Sequence, residues 1–244
     1  MIDDVVIIAA GAGSRLQELG LSKPLVPVAG HSLISRAIKS AFAAGVRRAV
    51  VVTGHEAAAV EAHLAELRAA HGWNIATLYN ADYLSPNGRS VLRARELVSG
   101  PFFLAMCDHL AEPAIYARLL AAEVPDHCVA LGIDRRLDNP FVDLDDVTRV
   151  ALDGDLIRDI GKGIAHYDAY DTGIFRASPA LMDAIEISGR GDGDWSISGG
   201  MRQLAARGCA IGVDVGDACW IDVDNPRMHR MAEDWIRAGA GAAS

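Results

Sequence analysis

The feature that most constrains this chain is an alternation. Short β-branched runs at residues 5–10, 49–53, 75–79, 102–107 and 128–133 are separated by stretches of helical period. Between the first two runs Leu33, Ile34, Ala37, Ile38, Ala41 and Phe42 recur at helical spacing, and Gly45 follows as a stop signal. That is a β-α-β unit. Similar helical patterns at 56–70, 89–98 and 114–122 extend it, so the first half reads as a parallel sheet with helices on both faces, and the fold class as α/β with a Rossmann-like mixed, mostly parallel sheet. Ligands in such sheets gather at the carboxyl ends of the strands, which directs attention to the loops after Ala10, Tyr79 and Cys107.

From 139 to 163 the pattern changes to strand-like pieces (141–144, 148–152, 156–160) joined by Asp/Gly turns such as Asp153-Gly154, the mark of a small β-rich insertion. A strand is expected at 172–176, helices near 179–187 and 197–207, strands at 210–215 and 219–223, and a closing helix from Pro226. The expected organisation is one domain over 1–238, with halves at 1–135 and 136–238, and a Gly/Ala-rich frayed tail at 239–244.

Composition narrows the function. Of 244 residues 51% are apolar and 23% charged, which excludes disorder as the main state. Acidic residues outnumber Lys+Arg by 32 to 23, a net charge of −9 that argues against a nucleic-acid polymer as partner. It does not exclude a small phosphorylated ligand held by two or three local cations. No apolar run approaches the roughly 20 residues needed to span a bilayer, and the N-terminus lacks a signal-peptide pattern, so a cytoplasmic setting is expected. Cys107, Cys128, Cys209 and Cys219 are scattered without ligand spacing and read as buried thiols.

The first strand runs through Ala9 and Ala10 into Gly11-Ala12-Gly13-Ser14-Arg15, a glycine loop whose backbone N–H groups can approach a phosphate. It is not a dinucleotide fingerprint, because Leu16 stands where the third glycine belongs, nor a Walker loop, because the only Gly-Lys pair, Gly161-Lys162, lacks the leading glycine. Eight residues after Arg15 comes Lys23-Pro24-Leu25, a second cation for the same loop. Polyphosphate is the natural ligand.

Gly11-x-Gly13-Ser14-Arg15…Lys23-Pro24-Leu25 resembles the signature of the nucleotidyltransferase family with a GT-A-like fold. The resemblance implies a nucleotidyl transfer from an NTP to a phosphorylated sugar or alcohol with release of pyrophosphate. It gives Arg15 the β- and γ-phosphates and Lys23 the α-phosphate, where charge builds up in the transition state. Asp108 closes the 102–107 run, and Asp222 and Asp224 share one side of an extended segment by period two. These acids are the expected Mg²⁺ ligands, with the nearer of Asp222 and Asp224 left open. Asp224 could instead cap the helix at Pro226. Lys162, between two glycines, is the expected contact to the acceptor's phosphate, or else a solvated hairpin lysine.

Asn80…Asn87-Gly88-x-Ser90 offers amides for a pyrimidine edge and looks like the cytidylyltransferase branch that acts on inositol 1-phosphate or phosphocholine. The other reading of this segment is a turn with Ser90 as a helix cap. Cys107-Asp108-His109-Leu110, Ile160-Gly161-Lys162 and the segment 167–175 extend the resemblance toward the inositol-1-phosphate enzymes. Asp171, Thr172 and Tyr167 are then candidates for the acceptor, with ordinary packing as the alternative for Tyr167. The resemblance thus implies CTP and a small phosphorylated alcohol as partners and Mg²⁺ as cofactor, and admits a homo-oligomer. The alternatives are a sugar-1-phosphate, phosphocholine or phosphonate acceptor, or a non-catalytic nucleotide-binding regulatory module. Some relatives carry such a domain fused to a membrane-embedded phosphotransferase, and the expectation here is that the product passes to a separate enzyme.

Overall fold

Alternate residues of the first strand face opposite layers, and that periodicity organises the whole molecule. The computed structural model describes residues 2–13 and 22–239. In β1 (Asp4–Ala9), Val5, Ile7 and Ala9 enter one core while Val6 and Ile8 enter another. The first core is roofed by α1 (Leu33–Ala43), α2 (Ala57–His71) and α4 (Pro113–Ala121). The second is roofed by α3 (Gly88–Arg93), α5 (Pro179–Gly191) and α6 (Ile197–Ala205). Helices therefore cover both faces, as the sequence pattern requires.

β1 lies between β4 (Arg48–Thr53) and β6 (Phe102–Met106), with β5 (Ile75–Tyr79) beyond β4, and all these pairings are parallel. The order across the nine-stranded sheet is β5-β4-β1-β6-β11-β8-β12-β10-β9. In the second half, β8 (Val129–Asp134) and β12 (Ala210–Asp214) pair in parallel. The long β11 (Ala169–Ala177) runs antiparallel to both β6 and β8. The sheet is thus parallel from β5 to β6 and mixed beyond β6, in agreement with the mixed, mostly parallel sheet expected from the sequence.

The expected insertion is the hairpin β9 (Arg149–Asp153) and β10 (Leu156–Gly161), turned by Gly154 at φ +61°. It joins the main sheet through β9–β11 and β10–β12. The strand expected at 141–144 is a loop, because polar side chains capture its backbone: Phe141 N–H donates to Asn139 Oδ1 at 2.9 Å and Asp145 N–H to Asp143 Oδ1 at 3.3 Å. A third cluster, beneath α7 (Pro226–Arg237), joins two short two-stranded sheets. One pairs β2 (Pro27–Val28) with β3 (His31–Ser32), the other β7 (His109–Ala111) with β13 (Trp220–Asp222). The tail from 240 onward lies outside the described residues. Among them no helix is long and apolar enough to cross a membrane.

Candidate active site

A cavity of about 410 Å³ opens at the carboxyl ends of β1 and β6. Gly11 and Gly13 form part of its wall. Gly13 sits at φ +57°, and a Cβ there would lie 2.4 Å from Lys23 Cβ, so this glycine is needed both for the turn and for the lysine stem beneath it. Ala9 and Ala10 are buried behind the loop. Ser14 and Arg15 lie outside the described residues.

Lys23 is 8% exposed, held in a 3₁₀ turn with Pro24 at its start. Its Nζ stands 2.5 Å from Asp108 Oδ2 and also bonds Asp224 Oδ1. Burial opposes its charge, but Asp108, Asp222 and Asp224 outweigh that and hold the ammonium above the usual lysine range. The acids meet because β7 and β13 are antiparallel partners with Asp222 opposite His109, and Val223 N–H donates to the Asp108 carbonyl at 3.0 Å. This short two-stranded pairing of distant segments therefore places Asp108 beside Asp222 and Asp224, all three lining the cavity.

The three carboxylates differ. Burial would raise Asp108, yet Lys23 and His109 bring it below the ordinary range. Burial pushes Asp222 up to about 7, with Asp108 and Asp224 adding to the rise. Asp224 is raised by burial and by a side-chain hydrogen bond with Asp146. Asp222 Oδ1 is buried and has no hydrogen-bond partner among the described residues. A buried carboxylate oxygen left bare is costly unless a cation meets it. Carboxylate oxygens of Asp146, Asp222 and Asp224 lie within 4.8 Å of one another, a hard-oxygen set suited to a divalent ion.

Asp146 and His109 are participants that the sequence reading did not select. Asp146, on the loop before β9, also bonds Lys162 Nζ at 2.5 Å, tying the expected acceptor lysine into the acidic cluster. His109 Nδ1–H donates to the Thr172 carbonyl at 2.8 Å, which turns Nε2 toward Asp222 Oδ2, 3.5 Å away. Burial would lower His109, but Asp222, Asp108 and Asp171 raise it. Gly173, at φ +75°, makes room: a Cβ there would lie 2.3 Å from His109 Nδ1. A histidine next to the Asp of a strand end, with a glycine in a facing strand, is the signal that could have been read.

Not every expected contact faces the cavity. Asn87, Ser90, Lys162 and Asp171 line it. Asn87 Oδ1 accepts from Ile197 N–H at 3.0 Å, anchoring the start of α6, and Gly88 is needed for packing, since a Cβ would lie 2.3 Å from the Trp195 carbonyl. Asn80 is 2% exposed, with Nδ2 donating to Ser90 Oγ and Oδ1 accepting from Asp82 N–H, so it braces the loop rather than presenting an amide to a base. Ser90 lies inside α3 and does not cap it. The cap of α7 is Asn225, which leaves Asp224 to the cavity. Asp171 Oδ1 accepts from Gly173 N–H, and burial raises its carboxyl to about 6. Thr172 turns away, its Oγ1 donating to the Gly132 carbonyl at 2.8 Å inside the core. Tyr167 packs beside Tyr170 and the Arg149 guanidinium, off the cavity wall. Tyr83 and Ser85 from the loop before α3 add polar groups to the wall that were not anticipated.

Comparison with known proteins bears on this geometry. Over 242 residues the chain is 35% identical to the bifunctional IPC transferase and DIPP synthase of Rubrobacter xylanophilus, covering 98% of this chain and 53% of that protein. It is 34% identical to the CMP-5′-(3-aminopropyl)phosphonate synthase of Streptomyces rubellomurinus, covering 93% of this chain and 38% of that protein. The chain thus spans about half, or less, of the length of these curated relatives. Among solved structures, the inositol-1-phosphate CTP transferase from T. maritima superimposes with a TM-score of 0.85 at 22% identity, covering 100% of this chain and 98% of that one. A UDP-glucose pyrophosphorylase complexed with UDP-glucose superimposes at 0.79 with 17% identity, covering 98% and 100%. These likenesses carry the nucleotidyltransferase fold. The family model described as the MobA-like NTP transferase domain matches residues 5–156, from the glycine-loop strand to the first residue of β10, and the chain belongs to that family.

Proposed function

We propose that this chain transfers CMP from CTP to the phosphate of a small phosphorylated alcohol, inositol 1-phosphate first among the acceptors, and releases pyrophosphate. The observation that carries the proposal is the buried Lys23 ammonium beside the glycine loop, clamped by Asp108 and Asp224 with Asp222 Oδ1 left bare. A lysine needed only for structure has no reason to face a cavity next to an unpartnered carboxylate oxygen. The names of the T. maritima inositol-1-phosphate CTP transferase and of the Streptomyces CMP-5′-(3-aminopropyl)phosphonate synthase support a cytidylyl donor, with inositol-phosphate and phosphonate chemistry among the acceptors.

In this reading the acceptor's phosphate oxygen attacks the α-phosphorus of CTP in line and the bond to pyrophosphate breaks, with no covalent enzyme intermediate. Lys23 meets the oxygens of the α-phosphate as their negative charge grows, and Arg15 steadies the leaving β- and γ-phosphates. Lys162 lowers the repulsion between the two anions, positioned by Asp146 at the cavity edge. Asp108, Asp222 and Asp224, with Asp146 beside them, are the groups to hold Mg²⁺. When bound, Mg²⁺ supplies charge neutralisation on the phosphates. His109 keeps Asp222 aimed inward through its Thr172 anchor. Asn87 and Ser90, on the cavity wall, are the candidates to read the base, and Asp171, also on the wall, is the candidate carboxyl for the acceptor. The cytoplasmic setting expected from the sequence belongs to this proposal.

The test is pyrophosphate release with each of the four NTPs and Mg²⁺, against inositol 1-phosphate, sugar 1-phosphates, phosphocholine and aminoalkylphosphonates. Turnover restricted to CTP, highest with inositol 1-phosphate, is the expected result. Absence of turnover with CTP and every acceptor would overturn the proposal; turnover with CTP and another acceptor would correct only the acceptor.

A further inference from the structure

At the opposite end of the sheet from the cavity, the fold gathers residues that are scattered in sequence. The turn before β8 is closed by Cys128 N–H donating to the Pro125 carbonyl at 2.8 Å, and it presents His127 and Cys128. Cys209 immediately precedes β12, and Val129 N–H donates to its carbonyl at 2.9 Å. Because Val129 and Ala210 are register partners in the parallel β8–β12 pair, Cys128 and Cys209 are forced side by side. The imidazole and the two sulfurs offer one ligand atom each, all within 4.8 Å of one another. His127 is exposed, Cys209 half-buried and Cys128 buried.

We propose that His127, Cys128 and Cys209 bind a thiophilic divalent cation of the zinc class, with the fourth tetrahedral position open to solvent. Two sulfurs and one imidazole nitrogen are the donor set that zinc takes, in contrast with the all-oxygen set at the cavity. On binding, each thiol gives up its proton to solvent and both sulfurs bond the metal as thiolates. Without metal, burial and the adjacent Cys209 thiol push Cys128 up to about 11, so this sulfur is not a free nucleophile. On binding metal, Cys209 gives up a weak S–H contact to the Arg207 carbonyl at 3.7 Å and the two thiols give up the hydrogen bond between them. The ion ties the starts of two neighbouring strands, which stabilises the sheet. Asp108 follows β6 at the carboxyl end of the strands, whereas Cys128 and Cys209 precede β8 and β12 at the amino end, so occupancy of this site leaves the cavity untouched.

The experiment uses the full chain, reduced with a thiol-free reductant and kept in excess Mg²⁺ so that the carboxylates are occupied. Titration with Co²⁺ should give a thiolate-to-cobalt charge-transfer band that saturates at one equivalent and is bleached by Zn²⁺. Cys128→Ser and Cys209→Ser should each abolish the band, and Cys219→Ser should keep it. His127→Ala, whose side chain is exposed and whose loss leaves the fold intact, should weaken Co²⁺ affinity about tenfold or more. Zn²⁺ at a hundredfold excess over its Kd should raise Tm by roughly 5–10 °C in the wild-type chain. Pyrophosphate release by His127→Ala should match the wild type. No charge-transfer band at stoichiometric Co²⁺, or a band that survives in Cys128→Ser or Cys209→Ser, would overturn the proposal, whatever the outcome at the cavity.

Discussion

Asp134 and Asp222 are both inward-facing carboxylates at the ends of short strands, and they differ in how completely the fold serves them. Asp134, the last residue of β8, accepts from Arg136 N–H, Nε and Nη2, from Asn139 Nδ2 at 2.7 Å and from Trp220 Nε1 at 2.8 Å. Burial alone would raise it, and these donors bring it below the ordinary carboxylate range. Asp222, the last residue of β13, has one bare oxygen and a carboxyl raised to about 7. A buried charge whose bonds are complete holds structure, whereas one left short of partners marks where a ligand belongs. Trp220 links the two: its Nε1 serves Asp134 while its ring stacks with His109 at 6.0 Å. The satisfied carboxylate thereby orients the wall of the unsatisfied one.

The comparison breaks most visibly on Asp134. Asp134→Ala strands the Arg136 guanidinium and the Trp220 N–H, and is expected to cost about 3–5 kcal/mol, a drop in Tm of roughly 6–20 °C by thermal unfolding. A Tm within a degree of wild type would show that the network carries no stability. Asp222→Asn should do the reverse, reducing pyrophosphate release about a hundred- to a thousandfold, or about 3–4 kcal/mol, while the metal-free Tm stays level or rises. Loss of stability without loss of turnover would assign Asp222 to structure instead. Gly173→Ala forces a side chain into a left-handed position against the His109 ring and should cost about 1–3 kcal/mol, shared between Tm and kcat. Unchanged values of both would show that the ring is free to move.

The smallest expected effect is a pH slope, and its sign separates the two carboxylates. Asp222 and Asp171, raised by burial to about 7 and about 6, hold protons in the folded chain that the unfolded chain has already released. His109, raised by its acidic neighbours, acts in the same direction. Metal-free stability should therefore fall as pH rises from about 6 to 7, by about 1 kcal/mol, a few degrees in Tm. Asp134, lowered, contributes stability that is lost only as pH falls below the ordinary carboxylate range. Added Mg²⁺ should flatten the slope between pH 5 and 8. A Tm that rises with pH across that window would contradict the assignment.

How much of this was readable in the sequence depended on distance along the chain. Gly11, Gly13 and Lys23 fall within one local motif, and Asp108 closes a strand whose pattern is plain, so these were legible. Asp222 and Asp224 could be paired by period two, yet their approach to Asp108 depends on β7–β13, two three-residue strands too short to announce a register. Asp146 lies in a loop rich in Asp, where nothing local separates it from Asp143 or Asp145. Asn80 and Thr172 illustrate the opposite error: a polar side chain of suitable chemistry was expected at a ligand, and the fold uses it for its own backbone and side chains. Cys128 and Cys209 lack ligand spacing in sequence and meet only because β8 and β12 are neighbours.

In the proposed reaction Lys23, paired with Asp108 and Asp224 in the free chain, turns to the α-phosphate when a metal ion enters among the carboxylates. Anomalous scattering from crystals grown with CTP and Mn²⁺ tests it most directly. The account predicts a Mn²⁺ peak bonded to Asp222 Oδ1, with Lys23 Nζ moved from Asp224 to the α-phosphate. A Mn²⁺ ion bound away from Asp108, Asp222 and Asp224, with Lys23 still between Asp108 and Asp224, would contradict it.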